Sequence, residues 1–338
     1  MKAKTKILII GGTGTISTPI TALLSEDPTV DLYVFNRGHR PLPEGVKQII
    51  GDFKDQEKIG DLLKDLSFDV VINFLIYRPE EAVNQIALFK DKIRQYIFIS
   101  TVAVYDLGAS IVISEDSKRQ SNISYGQNKA LCEDVFFKAY QDHGFPVTIV
   151  RPAQTYGLDR IPLSVKGKTC YSVVERILND KPVIIHGDGK SIWHATHNLD
   201  FAYNFLKLID NPKAIGEAFH NLNPEPLSWD IIYQELYALL NKEPKIVHIA
   251  SDALARSQKY NHKEMLLGDK QYSNLFDTSK IESVVTDFKN TISISDGLKL
   301  YLKYLDKHPE CKVKDEEFDK WCDDLILNYE KFIASLDF

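Results

Sequence analysis

Cysteine is scarce in this chain. Its four cysteines, Cys132, Cys170, Cys311 and Cys322, lie far apart and form no C-x-x-C pair. That spacing excludes the common zinc and dithiol patterns and offers no disulfide framework, so the four read as reduced thiols. Long apolar runs are missing too, since nothing approaches the roughly 18 residues a membrane-spanning helix needs. The first run, residues 7–10, follows Lys2, Lys4 and Lys6 as in a signal peptide, but it ends after four residues in Gly11-Gly12. We therefore expect a cytoplasmic protein with no membrane partner. Positive charge is in deficit: 41 Lys and Arg against 47 Asp and Glu leave a net charge of −6. Nucleic-acid binding rests on neutralising phosphates, and this balance argues against it. Repeats and low-complexity segments are absent.

What is there is an ordinary apolar fraction of 44% in 338 residues, enough for one large domain or two unequal fused ones. Short β-branched runs at residues 6–10, 32–36, 47–50, 70–74, 96–100 and 147–151 predict strands. Amphipathic stretches near 17–24, 55–66, 79–92 and 128–143 predict the helices between them. Continuous apolar strands suit a parallel sheet covered on both faces, so the fold class is α/β with a doubly wound sheet. After Arg151, prolines and glycines thicken. Helices are predicted near 171–179, 199–209 and 229–240, the last capped by Ser228, and in the charged tail 315–338. We divide the chain into residues 1–160, a dinucleotide-binding domain, and 161–338, a smaller substrate lobe that returns in places to the sheet.

In such a sheet the ligand site lies beyond the carboxyl ends of the strands. The first strand runs into Gly11-Gly12-Thr13-Gly14-Thr15-Ile16-Ser17. A glycine-rich turn between a first strand and a helix lets backbone approach a pyrophosphate at the helix N-terminus, and Ser17 is a small substitute for the last glycine. The second strand ends in Asn36-Arg37, with no carboxylate for a ribose hydroxyl. The forked guanidinium of Arg37 favours the 2′-phosphate of NADP over NAD. Phe74 closes the fourth strand, and Asp52-Phe53 follows the third, where a carboxylate and a ring suit the adenine side.

Thr101 ends the fifth strand, and Tyr125 and Lys129 follow, four apart. On a helix they share a face, so the ammonium, with an oxidised nicotinamide, would bring the phenol pKa down. Tyr125 would then carry the proton, Thr101 would hold the reacting oxygen, and the cofactor would move the hydride. Tyr203 and Lys207 repeat the spacing, but in a predicted amphipathic helix where Tyr203 reads as core.

With these residues in hand, the chain resembles the extended short-chain dehydrogenase/reductase family, the NAD-dependent epimerase/dehydratase group that includes UDP-galactose epimerase. The resemblance runs over residues 5–305: the glycine motif, Asp52-Phe53, Asn73, Thr101, Tyr105, Tyr125, Lys129, Arg151-Pro152 and the turn 186–189. It implies a Rossmann-type fold, a homodimer and an NAD(P)-dependent oxidoreductase or epimerase acting on a hydroxyl or ketone of a sugar-like small molecule. Two departures stand out. Val102-Ala103 occupy the place of the Asp-Glu pair of the family's dehydratases, which disfavours dehydration. Trp193 replaces an arginine that binds the diphosphate of nucleotide sugars, and with His194 and His197 it forms the expected substrate side. The other class open is a non-catalytic dinucleotide-binding or RNA-binding protein of the same fold.

Overall fold

The computed structural model describes residues 3–336. Seven parallel strands form the central sheet: β1 (Thr5–Ile10), β2 (Val30–Asn36), β3 (Lys47–Ile50), β4 (Val70–Asn73), β5 (Gln95–Ile99), β6 (Val147–Arg151) and β7 (Ala218–His220). Their order is β7-β6-β5-β4-β1-β2-β3, so the chain reverses direction across the sheet between β1 and β4. That reversal opens the crevice into which the loops after both strands project.

Alternation along each strand divides the core in two. Leu8, Ile10, Val71, Tyr96 and Phe98 pack with Phe136 and Phe145 on one face. Ile7, Ile9, Val70, Ile72 and Ile97 pack with Ile20, Phe201 and Phe205 on the other. The first face is covered by α3 (Pro79–Phe89) and α4 (Ser124–His143), with α2 (Gln56–Leu63) alongside; the second by α1 (Ser17–Ser25) and α6 (Asn198–Leu206). A third cluster fills the second lobe around Trp229, Tyr233 and Ile177. It joins α5 (Tyr171–Leu178), α7 (Trp229–Leu239), α8 (Ile294–Lys307) and α9 (Glu316–Ala334). Val102 and Val104, just past β5, belong to this cluster, so the lobe is built directly against the carboxyl edge of the sheet. Ser228 caps α7, accepting from the Ile231 amide at 3.4 Å.

The structure departs from expectation at several points. Helix α4 starts at Ser124, four residues before Asn128, because its polar first turn is held by tertiary contacts rather than by propensity. The fourth strand stops at Asn73, since its side chain accepts from the Leu75 amide at 2.8 Å and turns the chain. Helix α8 went unread in the sequence. Tyr203 is 41% exposed, under the Lys289 ammonium, and is not core. All four cysteines are free. Among the described residues no helix is long and apolar enough to cross a membrane, and no His, Cys, Asp and Glu cluster could hold a metal ion.

One buried ion pair ties α4 to the sheet. Arg151, at the end of β6, meets Glu133 in two parallel bonds of 2.9 and 2.6 Å, with the side chains 1% and 0% exposed. The same guanidinium donates to the Tyr105 hydroxyl, which bonds His220 on β7 at 2.7 Å. Removing one charge strands the other. Glu133→Gln should lose about 3–5 kcal/mol of stability in urea unfolding, whereas Asp134→Asn, at a half-exposed partner of Arg119, should lose less than about 1. Equal midpoints for the two variants would show that the pair does not anchor the helix.

Candidate active site

The glycine turn after β1 is shaped by what surrounds each glycine. Gly11 adopts φ +90°, and a Cβ there would sit 2.8 Å from the Leu75 side chain. Gly12 has Val34 at 2.9 Å from the same imagined atom. Gly14 differs, because its nearest neighbour is Ser17 Oγ at 3.5 Å. Ser17 stitches the turn together, accepting from the Gly14 amide at 2.8 Å and donating to the Gly11 carbonyl at 2.7 Å. The helix that follows has no side-chain cap and no acidic residue in its first turn. The amides of Thr15 and Ile16 find no acceptor among the described residues. An uncapped helix start with open donors is an anion site by charge and geometry.

Around this cradle, Asn36 Oδ1 accepts from the Gly38 amide and from Gln48, each at 2.8 Å, which fixes the bend at the end of β2. Arg37 is exposed beyond that bend, and Arg40 reaches back to the Thr13 carbonyl at 2.7 Å. Asp52 is engaged in its own turn, accepting from the Lys54 amide at 3.0 Å.

Across the crevice, Thr101 Oγ1 accepts from the Ala103 amide at 3.2 Å, opening a short 3-10 turn over Val102–Val104. Gly126 lets α4 lie against that turn, because a Cβ there would overlap the Ala103 carbonyl and the Ser121 side chain. The close approach sets Tyr125 beside Thr101, and the two line one cavity. Tyr77 stacks on the Tyr125 ring, 5.9 Å between centroids and 16° from parallel. Lys129, one turn on, is buried and donates to the Ile76 and Ile99 carbonyls, both at 2.7 Å.

The electrostatics differ from expectation. Burial raises the Tyr125 phenol above its ordinary value, and Tyr77 adds to this, while Arg160 and Thr101 oppose it. Burial also lowers Lys129, to about 8.

Thr101 and Tyr125 line one cavity of about 300 Å³ together with Trp193, Ile123, Gln154, Glu264, Met265 and Asp269. Trp193 stands in that lining; His194 and His197 do not. His194 spends both ring nitrogens inside the protein, Nδ1 on the Asn223 carbonyl at 2.8 Å and Nε2 on the Phe276 amide at 3.4 Å. His197 caps α6 through the Leu199 amide and meets Tyr156 edge-on. Burial lowers both histidines, which keeps them neutral scaffold.

The chain's NAD dependent epimerase/dehydratase match covers residues 7–220. The chain belongs to that family. Two curated relatives are the UDP-glucose 4-epimerase of Azospirillum brasilense and the dTDP-D-glucose 4,6-dehydratase of Mus musculus. The first is 26% identical over 46% of this chain and 51% of its own length, the second 22% identical over 60% and 64%. The chain therefore spans half to under two-thirds of those relatives. Among solved structures, the UDP-glucuronic acid 4-epimerase of Bacillus cereus, in complex with UDP-glucuronic acid and NAD, has a TM-score of 0.73 at 21% identity. It covers 90% of this chain and 99% of its own. The epimerase Mth375 of Methanothermobacter thermautotrophicus has a TM-score of 0.75 at 17% identity.

The residues present fit the family's dinucleotide: the cradle at Gly14 is open, and the amides beyond it are unengaged. Two of the sequence-derived contacts need correction. Phe53 is 5% exposed and packs with Ile59 and Leu63, so its ring is core rather than a face for adenine. Phe74 packs near Phe205, and the apolar side chain exposed over Gly11 is Leu75. Ile50, at the end of β3, is 63% exposed and lies 3.4 Å from the Cβ position of Gly38. The sequence reading missed Glu264 and Asp269.

The two glycines should separate folding from binding. Gly14→Ala should unfold within about 1 kcal/mol of wild type, yet lose dinucleotide binding by calorimetry. Gly11→Ala, strained and clashing, should lose about 1–3 kcal/mol of stability. A Gly14→Ala protein that binds NAD normally would remove the phosphate role from this turn.

Proposed function

We propose that this protein is an NAD(P)-dependent epimerase or reductase acting on a hydroxyl or ketone of a sugar-like metabolite, with Tyr125 as the proton-transfer residue. The carrying observation is that Thr101, Tyr125 and Trp193 line one cavity on the edge that also presents the open glycine cradle. When bound, the dinucleotide supplies the hydride donor or acceptor and, oxidised, a positive charge. The Thr15 and Ile16 amides hold the pyrophosphate, and Lys129 holds the floor between β4 and β5. Thr101 orients the reacting oxygen and Tyr125 gives or takes its proton. The phenol is raised in the structure, so ionisation awaits a nearby positive charge, which keeps the acid form ready for reduction. The cavity wall supports a substrate without a nucleotide diphosphate. No Lys or Arg lines it, and Lys190, close to Trp193 in sequence, is paired with Asp230 at 2.6 Å. Val83 on α3 and Leu131 on α4, over half exposed on packed helices, support a homodimer.

Arg37, with Arg40 beside the turn and no carboxylate at the end of β2, supports NADP(H) as the preferred cofactor. A charge-assisted contact to phosphate is worth about 1.5–3 kcal/mol, so NADP should bind at least about tenfold tighter than NAD. Fluorescence titration of wild type and Arg37→Ala checks this, the variant losing affinity for NADP alone. Tighter binding of NAD by wild type would refute the preference.

Tyr125→Phe keeps the ring and removes the hydroxyl. Cofactor binding should survive while turnover falls by about 10²–10⁴, read by cofactor absorbance over a panel of free sugars, sugar ketones and nucleotide sugars. Tyr203→Phe, at the exposed second match, should change nothing. Undiminished turnover in Tyr125→Phe would end the assignment. No turnover of any panel member by wild type would return the chain to the non-catalytic class.

A further inference from the structure

The second lobe approaches the cavity through a π-turn, Leu266–Lys270, and carries Asp269 to its wall. Such turns are rare, and their extra residue re-aims a side chain, often at a functional position. Two anchors hold this one. Gly268 packs so closely on Ile123, the residue preceding α4, that a Cβ would overlap the isoleucine. Lys270 sends its buried ammonium to the Leu163 and Ser164 carbonyls at 2.6 and 3.0 Å, over the face of Trp229.

Asp269, between these anchors, has no such provision. Its Oδ1 is buried with no hydrogen-bond partner among the described residues. Burial raises its carboxyl, opposed by Lys270. That ammonium donates to two carbonyls and makes no hydrogen bond to Asp269. One oxygen of this partly buried carboxyl is thus left without a protein partner, which is costly and rarely kept without a use. A second, independent observation points to the same cavity: Trp193, which lines it, is 4% exposed and its indole N–H has no acceptor. The other acid in the wall, Glu264, accepts from the Ser124 hydroxyl through both oxygens, at 3.1 and 3.0 Å. Among the described residues the lining thus carries two carboxylates and no cation, Arg160 acting on Tyr125 from outside it.

We propose that Asp269 is the specificity-determining residue of this cavity: it accepts a hydrogen bond from a donor group on the ligand, a hydroxyl or an ammonium, and excludes anionic groups. The proposal rests on the cavity being the substrate site. In a low-dielectric wall a like charge is repelled strongly, whereas a donor satisfies the carboxylate where water cannot. A sugar ring bearing a carboxylate or phosphate would meet both acids, and an amino or neutral sugar would meet an acceptor ready for it.

D-glucose, D-glucosamine and D-glucuronate share a ring and differ in charge. Each is titrated at millimolar concentration into the NADP-loaded full-length protein, following the Trp193 indole N–H resonance, assigned by its loss in Trp193→Phe. Glucosamine or glucose should move the resonance and glucuronate should not. Asp269→Asn should weaken glucosamine by about tenfold, as for a lost charge-assisted hydrogen bond, and admit glucuronate. An inverted charge preference cannot arise from misfolding. Wild type that takes glucuronate as well as glucosamine, a resonance unmoved by all three sugars, or an unchanged preference in Asp269→Asn would each overturn the proposal. The cofactor-absorbance panel keeps the two readings apart. Sugar binding with the stated preference but no turnover removes the oxidoreductase reading alone. Turnover indifferent to Asp269 removes the selector alone.

Discussion

Helix α4 buries charge along one face, and the site depends on how that charge is answered. Tyr125, Lys129 and Glu133 follow one another at intervals of one turn, and the last two are almost wholly buried. An interior ammonium and an interior carboxylate are tolerable only where partners meet them, and those partners stand at the carboxyl edge of the sheet. Ile76 and Ile99 present carbonyls to Lys129, and Arg151 presents a fork to Glu133. A helix packed by apolar residues alone can slide by part of a turn at modest loss. This one cannot, because any slip would orphan two charges at once. The registry of Tyr125 over Thr101 is inherited from that constraint, and the missing side chain of Gly126 sets how near they come.

The opposite wall of the crevice is arranged by a different economy. Its donors are backbone amides, and Ser17 shows how a turn can be closed from within while the donors facing outward are left free. Gly11 and Gly12 are glycines because neighbours crowd them; Gly14 is a glycine although nothing crowds it. The contrast is informative. Open space beside unengaged helix-start amides suits a phosphate, and it agrees with the family to which residues 7–220 belong.

Much of this was legible from residue order, and what was not has physical reasons. The strands could be read because β-branched runs such as Val70-Val71-Ile72 declare burial on both faces. Thr101 could be placed at the ligand edge because it ends a strand of a parallel sheet, Tyr125 by its spacing to Lys129, and Trp193 by the family resemblance alone. The start of α4 could not, since a turn containing Ser, Gly and Asn resembles a loop until its tertiary contacts are known. His194 and His197 follow a residue that does line the cavity, yet both nitrogens of His194 meet Asn223 and Phe276 and Nδ1 of His197 meets Leu199, partners that spacing cannot reveal. Phe53 looked like a stacking ring and is a core ring for the same reason. Asp269 was invisible because Leu-Leu-Gly-Asp-Lys has no local signature, and only the fold brings it 144 residues back to Tyr125.

The edge of the sheet beyond β6 is finished late in the chain. Strand β7 pairs there through Ala218, Phe219 and His220, and the segment leading to it satisfies polar groups left at the start of β5 and β6. Gln95 donates to the Leu208 carbonyl and accepts from the Asp210 amide, while Thr148 donates to Ala214. A nascent chain halted near residue 160 would therefore hold a sheet with a bare, twisted rim and buried amides still seeking water. Ribosomal synthesis must run some sixty residues further before that rim is sealed. During that interval the half-made protein presents an open strand to any other chain in reach, and its safety in the cell rests on a chaperone or on speed.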